Sequence, residues 1–212
     1  MAIIQGQPTN GNDVIFADGA DDFIDGLQGI DLINSGSGND TLFGRDGNDI
    51  ILGDPGNDLI DGGFDNDDLN GNAGNDTLIG SFGNDTLFGG SSSDSLSGGA
   101  GNDILIGFNG VSGNELDTLR GGSGADTFAL GDRGRSFYLN SAGSSFATIV
   151  DFDSSQADKI RVNGSAFGYT LNKNVNFSGG SALDTSILKN GDLIAVVQDN
   201  TNVSISFDFI TA

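Results

Sequence analysis

Aspartate recurs at every ninth position along the first half of this chain: Asp13, Asp22, Asp31, Asp40, Asp49, Asp58, Asp67, Asp76, Asp85, Asp94 and Asp103. After an interruption the spacing resumes at Asp117 and Asp126. Carboxylates in quantity can serve as acid–base pairs or as ligands for a hard cation. The chain has no histidine and no cysteine, which removes His-based triads, thiol nucleophiles and zinc-protease chemistry. Glycoside hydrolysis needs one carboxylate pair set apart from the rest, whereas these aspartates all occupy the same place in a repeating unit. Cation binding is the chemistry that equivalent carboxylates serve.

The elements that position them follow from the frame around each aspartate. It is typically Gly-Asn-Asp-x-aliphatic, as in Gly38-Asn39-Asp40-Thr41-Leu42 and Gly83-Asn84-Asp85-Thr86-Leu87. Glycine, asparagine and aspartate favour turns. The three residues after each aspartate have an aliphatic or aromatic centre: Ile15, Ile24, Ile33, Leu42, Ile51, Ile60, Leu69, Leu78, Leu87, Leu96, Leu105, Leu119 and Phe128. In a three-residue strand the central side chain faces opposite to its neighbours, so each nonamer contributes one apolar residue to a thin core. Two nonamers make a coil of strand, turn, strand, turn, and coils stack as in any sheet at about 4.8 Å. The expected fold is all-β, a right-handed parallel β-roll with two sheets around an aliphatic ladder and a small β-rich C-terminal cap.

In such a roll the odd repeats (Asp13, Asp31, Asp49, Asp67, Asp85, Asp103) line one edge. The even repeats (Asp22, Asp40, Asp58, Asp76, Asp94) line the other. Like charges held close in partly dehydrated turns are costly unless a cation joins them. Calcium suits best, because it takes six to eight carboxylate and carbonyl oxygens in flexible geometry, whereas magnesium demands a stricter octahedron and keeps its water. Softer metals want histidine or thiolate.

This frame resembles the RTX (hemolysin-type) calcium-binding nonapeptide, Gly-Gly-x-Gly-x-Asp-x-aliphatic-x. The segments Gly98-Gly99-Ala100-Gly101-Asn102-Asp103-Ile104-Leu105-Ile106 and Gly121-Gly122-Ser123-Gly124-Ala125-Asp126-Thr127-Phe128-Ala129 fit it throughout. The resemblance covers residues 9–132. It implies that each calcium sits between the turns of repeats n and n+2, held by both aspartates and by turn carbonyls. Departures mark sites expected to be weak or distorted, around Asp22, Asp67 and Asp94. Ala20, Asp65 and Ser92 replace the glycine two before the aspartate, and Leu27, Arg45 and Phe108 replace the second glycine. Thr148-Ile149-Val150-Asp151-Phe152-Asp153 with Asp158-Lys159-Ile160 is similar to the segment that closes such rolls. It is expected to bring Asp151 and Asp153 to, or beside, a terminal calcium. The C-terminal Asp208-Phe209-Ile210-Thr211-Ala212 resembles an uncleaved type I secretion signal.

Composition agrees. The formal charge is −22. Residues 1–132 carry 23 acidic and 2 basic residues, and residues 133–212 carry 7 and 6. About eight to ten calcium ions would nearly cancel the charge of the repeats. So acidic a chain lacks the basic footprint for nucleic acid or an anionic membrane. No run approaches 18 apolar residues, and the N-terminus lacks the basic and apolar regions of a Sec leader. The expected organisation is an N-terminal cap (1–10), with Ile3-Ile4 over the first coil, then the roll (11–132) with a loop insertion at 110–114. A C-terminal β-rich cap (133–212) follows, with strands at 146–150, 193–197 and 203–207 and a hairpin at Asn190-Gly191.

No catalytic or toxic segment precedes the repeats in this sequence, so it resembles a stand-alone repeat domain, not an enzyme. The function this implies is a secreted, extracellular calcium-binding protein, disordered without calcium and folded by it, exported by type I machinery. The other reading is a calcium-dependent module for a polysaccharide or cell surface, with Arg120, Arg133, Arg135, Lys159 and Arg161 as its basic groove. Ice binding is disfavoured, because the residues after each aspartate (Val14, Phe23, Leu32, Thr41, Ile50, Leu59, Asp68) form no regular ladder. Outward residues of the odd strands (Val14, Phe16, Ile50, Leu52, Phe88, Ile104, Ile106) are greasier than Asp25, Asp61, Ser95 and Ser97 of the even ones. They are either ordinary β-formers or an oligomer contact. Phe64 and Phe82, eighteen apart, are expected to stack.

Overall fold

The computed structural model describes residues 8–108, 115–132, 135–136, 145–162, 169–175, 184–189, 192–198 and 209–211. Short strands alternate between two sheets. The odd sheet receives β1 (Val14–Phe16), β3 (Leu32–Asn34), β5 (Ile50–Leu52), β7 (Asp68–Ala73), β9 (Thr86–Ser91), β11 (Ile104–Phe108) and β13 (Thr127–Ala129). The even sheet receives β2 (Phe23–Asp25), β4 (Thr41–Asp46), β6 (Leu59–Phe64), β8 (Thr77–Phe82), β10 (Ser95–Ala100) and β12 (Leu116–Ser123). Each strand pairs in parallel with the strand two further along, so Ile15 lies beside Ile33 and Leu42 beside Ile60. This is the parallel β-roll expected from a nine-residue period.

The step between partners is set by one coil of two nonamers, and it holds until the interruption. There Leu96 pairs with Leu119 and Leu105 with Phe128. The extra residues of the insertion (110–114), which lie outside the described residues, leave the register of the sheets intact on both sides. The central residues of the strands point inward without exception. Ile15, Ile24, Ile33, Leu42, Ile51, Ile60, Leu78, Leu87, Leu105, Leu119 and Phe128 are completely buried, and Leu69 and Leu96 are nearly so. Packed into one cluster, they form the ladder between the sheets. With one such residue per nonamer the core is only one side chain deep per strand.

Both sheets continue past the repeats. β16 (Phe146–Ile149) adds to β12 in parallel, and β17 (Lys159–Val162) adds to β13, which brings Ile149 and Ile160 onto the ladder. Beyond them β20 (Asp192–Val197) and β21 (Phe209–Thr211) extend the two sheets again. β18 (Tyr169–Val175), β19 (Asp184–Lys189) and β20 run antiparallel to one another. A two-stranded ribbon is formed by β14 (Gly131–Asp132) and β15 (Arg135–Ser136). The expected turn at Asn190-Gly191, the Ile3-Ile4 cap and the strand at 203–207 lie outside the described residues. The only helical feature among those described is a single 3-10 turn at Ser154–Gln156. No described helix is long and apolar enough to cross a membrane.

Outward faces are less polarised than the sequence reading holds. Val14, Phe16 and Ile50 are exposed on the odd sheet, but Phe23 and Leu59 are exposed on the even sheet as well. Phe23 and Phe43 meet there with ring centroids 5.6 Å apart. Arg45 lies 4.6 Å over the Phe43 ring and grips Asp25 through two 2.9 Å hydrogen bonds. The selection of Asp25, Asp61, Ser95 and Ser97 passed over these aromatics. Phe64 and Phe82 do stack, at 5.1 Å and 7°.

If the ladder is the fold's apolar support, Ile60→Ala should lower stability in saturating calcium by about 2–5 kcal/mol, as measured by urea denaturation. The outward Phe64→Ala should cost far less.

Candidate metal centres

Each nonamer delivers its aspartate at the exit of a glycine turn, immediately before the strand. The backbone N–H of each repeat aspartate from Asp13 to Asp103 donates to Oδ1 of the aspartate one coil further on. These bonds run from Asp13–Asp31 and Asp22–Asp40 through to Asp94–Asp117 and Asp103–Asp126, all at 2.7 to 2.9 Å. The sequence-predicted carboxylates are thereby brought together in two rows, one along each edge. All except the terminal Asp13 are buried.

The second oxygen of these carboxylates is the unusual feature. Oδ2 of Asp22, Asp31, Asp40, Asp49, Asp58, Asp67, Asp76, Asp85, Asp94, Asp103 and Asp126 is buried and accepts no hydrogen bond. Buried carboxylate oxygens normally find a donor, because leaving one unpaired costs about 1–3 kcal/mol or more when it is charged. Removal from water pushes several of these acids well up, aided by neighbouring carboxylates. Asp49, Asp103 and Asp126 rise to about 6, Asp58 to about 7, and Asp67 and Asp94 to about 8.

Nine of these orphan oxygens, all but those of Asp22 and Asp40, face a small cradle beside a glycine. A methyl carbon built onto Gly26 would lie 2.7 Å from Asp31 Oδ2 and 2.8 Å from the Gly44 carbonyl oxygen. The same convergence recurs at Gly44 with Asp49 and the Gly62 carbonyl, and at Gly71 with Asp76 and the Gly89 carbonyl. A carboxylate oxygen and a carbonyl oxygen directed at one point that no side chain can occupy make a donor set for a hard divalent cation. The residues present therefore fit calcium. The aspartate Oδ2 and the carbonyl one coil on would hold it, and the ion would supply the positive charge the row lacks. Among the described residues no three carboxylates converge on one point, so the carbonyls are indispensable to each set.

Departures from the glycine pattern leave a visible trace. Seven of the glycines two before the aspartate adopt φ of 131 to 146°, for example Gly38, Gly47 and Gly83, but Asp65 and Ser92 at that position settle at 74 and 90°. A side chain cannot follow glycine into that region, so the turns before Asp67 and Asp94 are reshaped. Leu27 and Arg45, at the second-glycine position, sit at 79 and 84° and match Gly36 at 81°.

Sequence reasoning missed three participants. Asp158 extends the odd row, accepting from the Asp126 N–H at 3.0 Å, and its Oδ2 takes the Asp153 N–H at 2.8 Å. The signal was present, since Asp158-Lys159-Ile160 repeats the Asp-x-aliphatic frame. Glu115 stands where other repeats have glycine. It is buried with Oε2 unpaired, and burial together with Asp117 pushes it to about 7. The asparagines before the aspartates form a ladder of their own, with Asn39 Oδ1 accepting from the Asn57 N–H and Asn57 Oδ1 from that of Asn75. Asp151 and Asp153 spend their carboxylates on backbone. Asp151 accepts from the Gly121 and Gly122 N–H groups at 2.9 Å each, and Asp153 accepts from Ser155 N–H at 2.8 Å; the Ser155 side chain first and that N–H second hold the Asp153 pKa down. At the other end, Asp13 accepts from the Thr9 N–H and hydroxyl.

Comparison with known proteins accords with this geometry. No curated protein matches the chain. Among solved structures, the AlgE6R3 subunit from the Azotobacter vinelandii mannuronan C5-epimerase is 26% identical, over 69% of this chain and 78% of that one, with a TM-score of 0.31. The extracellular lipase LipA from Serratia marcescens is 17% identical over 97% of this chain, which spans only 39% of the lipase, again with a TM-score of 0.31. Superpositions this loose leave the fold resting on the strand registers themselves. The family described as RTX calcium-binding nonapeptide repeat (4 copies) matches residues 9–33, 34–69, 61–96, 70–105 and 111–132. With more than half of its length so matched and both aspartate rows in place, this chain belongs to the RTX calcium-binding nonapeptide repeat family.

Proposed function

We propose that this protein is a secreted calcium-binding roll that is disordered without calcium and folds on binding several ions. Its role is structural and coupled to export, with no catalytic step. The observation that carries the reading is the set of eleven buried Oδ2 atoms without a hydrogen bond. At about 1–3 kcal/mol or more for each, their combined cost rivals or exceeds the roughly 5–15 kcal/mol by which a domain is stable. A core one side chain deep cannot offset that. Without calcium the repeat segment is a glycine-rich polyanion with high chain entropy and strong self-repulsion. With calcium, the binding free energy becomes folding free energy.

This coupling gives export a direction. The chain stays unfolded at the low calcium of a cytosol and folds where calcium is roughly millimolar, the range in which extracellular modules bind it. The ligands we assign are the aspartates from Asp13 to Asp126, two per pair of coils, with the row ends contributing least because Thr9 already occupies Asp13. The roll of residues 11–132 is the calcium-responsive unit in this reading.

Two outcomes are expected. In far-UV circular dichroism, the metal-free chain should be unordered and should turn cooperatively to β structure on titration with calcium to 10 mM, but not with magnesium. A chain already β-structured in EGTA and indifferent to calcium would overturn the reading. The second concerns pH. Burial raises Asp49, Asp58 and Asp67 to about 6, 7 and 8 in the folded chain, against the ordinary 3.8. Between those limits the folded chain binds more protons, so metal-free stability falls as pH rises through that window. Calcium-stripped protein should therefore gain β structure on going from pH 8 to pH 5. Calcium needs the ionised form, so its half-saturation concentration should rise over the same change.

A further inference from the structure

The cradles are unevenly shared between the two edges. On the odd edge the residue five before the aspartate is glycine at Gly26, Gly44, Gly62, Gly80, Gly98 and Gly121, each facing its aspartate's Oδ2. On the even edge this holds only at Gly53, Gly71 and Gly89 among the described residues. Its first two turns have side chains instead, Ala17 before Asp22 and Ser35 before Asp40.

Ser35 is completely buried, and its hydroxyl donates to the Gly53 carbonyl oxygen at 2.8 Å. That carbonyl is the counterpart of those of Gly44, Gly62 and Gly89, each of which converges with a carboxylate oxygen on the space beside a glycine. In the Asp40 turn that space already contains a carbon, and the carbonyl already has a donor. Oxygen ligands of calcium stand about 2.3–2.6 Å from the ion. A carbon at the Gly26 position would be 2.7 and 2.8 Å from the two oxygens there, so ion and side chain exclude each other.

Resting on the calcium reading above, we propose that Ser35 excludes a cation from the Asp40 turn. Its hydroxyl closes the Asp40 turn, Ala17 fills the Asp22 turn, and the even row of calcium ions begins at Asp58. The roll then carries six ions on its odd edge and three on its even edge among the described turns. Asp22 and Asp40 keep unpaired carboxylate oxygens there, because the Ser35 hydroxyl satisfies the Gly53 carbonyl and not the acid. Ser35 is thus a specificity-determining residue that decides where along the row a divalent cation is admitted.

Native mass spectrometry of the full chain in calcium counts the ions directly. Ser35→Gly should bind one ion more than the parent chain. Ser35→Ala retains the carbon and should bind the same number, while its thermal midpoint falls through loss of the hydroxyl's bond to Gly53. The reciprocal Gly44→Ser should bind one ion fewer, which keeps the test alive if Ser35→Gly fails to fold. An unchanged count for both Ser35→Gly and Gly44→Ser, in a parent chain that does bind calcium, would overturn the proposal. A parent chain that binds no calcium would instead overturn the reading on which it rests.

Discussion

Every turn of this roll depends on how one carboxylate divides its two oxygens. Oδ1 accepts the N–H of the aspartate one coil back, and this fixes the stacking register at the edges. Oδ2 is left buried with no donor and, in all but the Asp22 and Asp40 turns, beside a space that only glycine leaves open. The first contact makes the stack specific and the second makes it unfavourable. The fold is therefore incomplete as a purely covalent object. In the reading proposed above, its shape is dictated by the chain and its stability is lent by an ion that the chain must find in solution.

The same division accounts for the ends of the row. Asp13 is satisfied by Thr9, and Asp158 by the Asp153 N–H, so neither terminal aspartate of the odd row leaves an unpaired oxygen like those between them. Asp151 performs a related service, using both carboxylate oxygens on the Gly121 and Gly122 N–H groups. On the calcium reading proposed above, a stack with cations inside must stop needing them at its boundaries. Here the boundary residues replace the ion with N–H and O–H donors.

Much of this was legible in the sequence, for a physical reason. A period of nine forces equivalent residues into equivalent places, so the inward ladder from Ile15 to Phe128 and the two aspartate rows could be written down from spacing alone. What escaped was whatever breaks equivalence. Ser35 looks like any polar turn residue until its hydroxyl is seen on the Gly53 carbonyl. Glu115 reads as a loop residue beside an insertion, yet it is buried next to Asp117. Asp158 lies 32 residues beyond Asp126, and only the pairing of β17 with β13 places it in the row. The outward face of the even sheet was misjudged because Phe23, Phe43 and Leu59 obey no period that marks them as partners.

The parallel stacking has a mechanical side. Hydrogen bonds and bridging ions all run along the stack, while the covalent chain winds across it. Tension applied at an end of the roll falls on the outermost coil alone, whose few edge contacts must open before the next coil feels any load. Such a body peels turn by turn at a low and nearly constant force, as a wound ribbon does. Sideways, where the load is shared by every coil of both sheets at once, it is stiff. On the calcium reading proposed above, ambient calcium would set how firmly each turn holds the next, and so the force at which the ribbon begins to unwind.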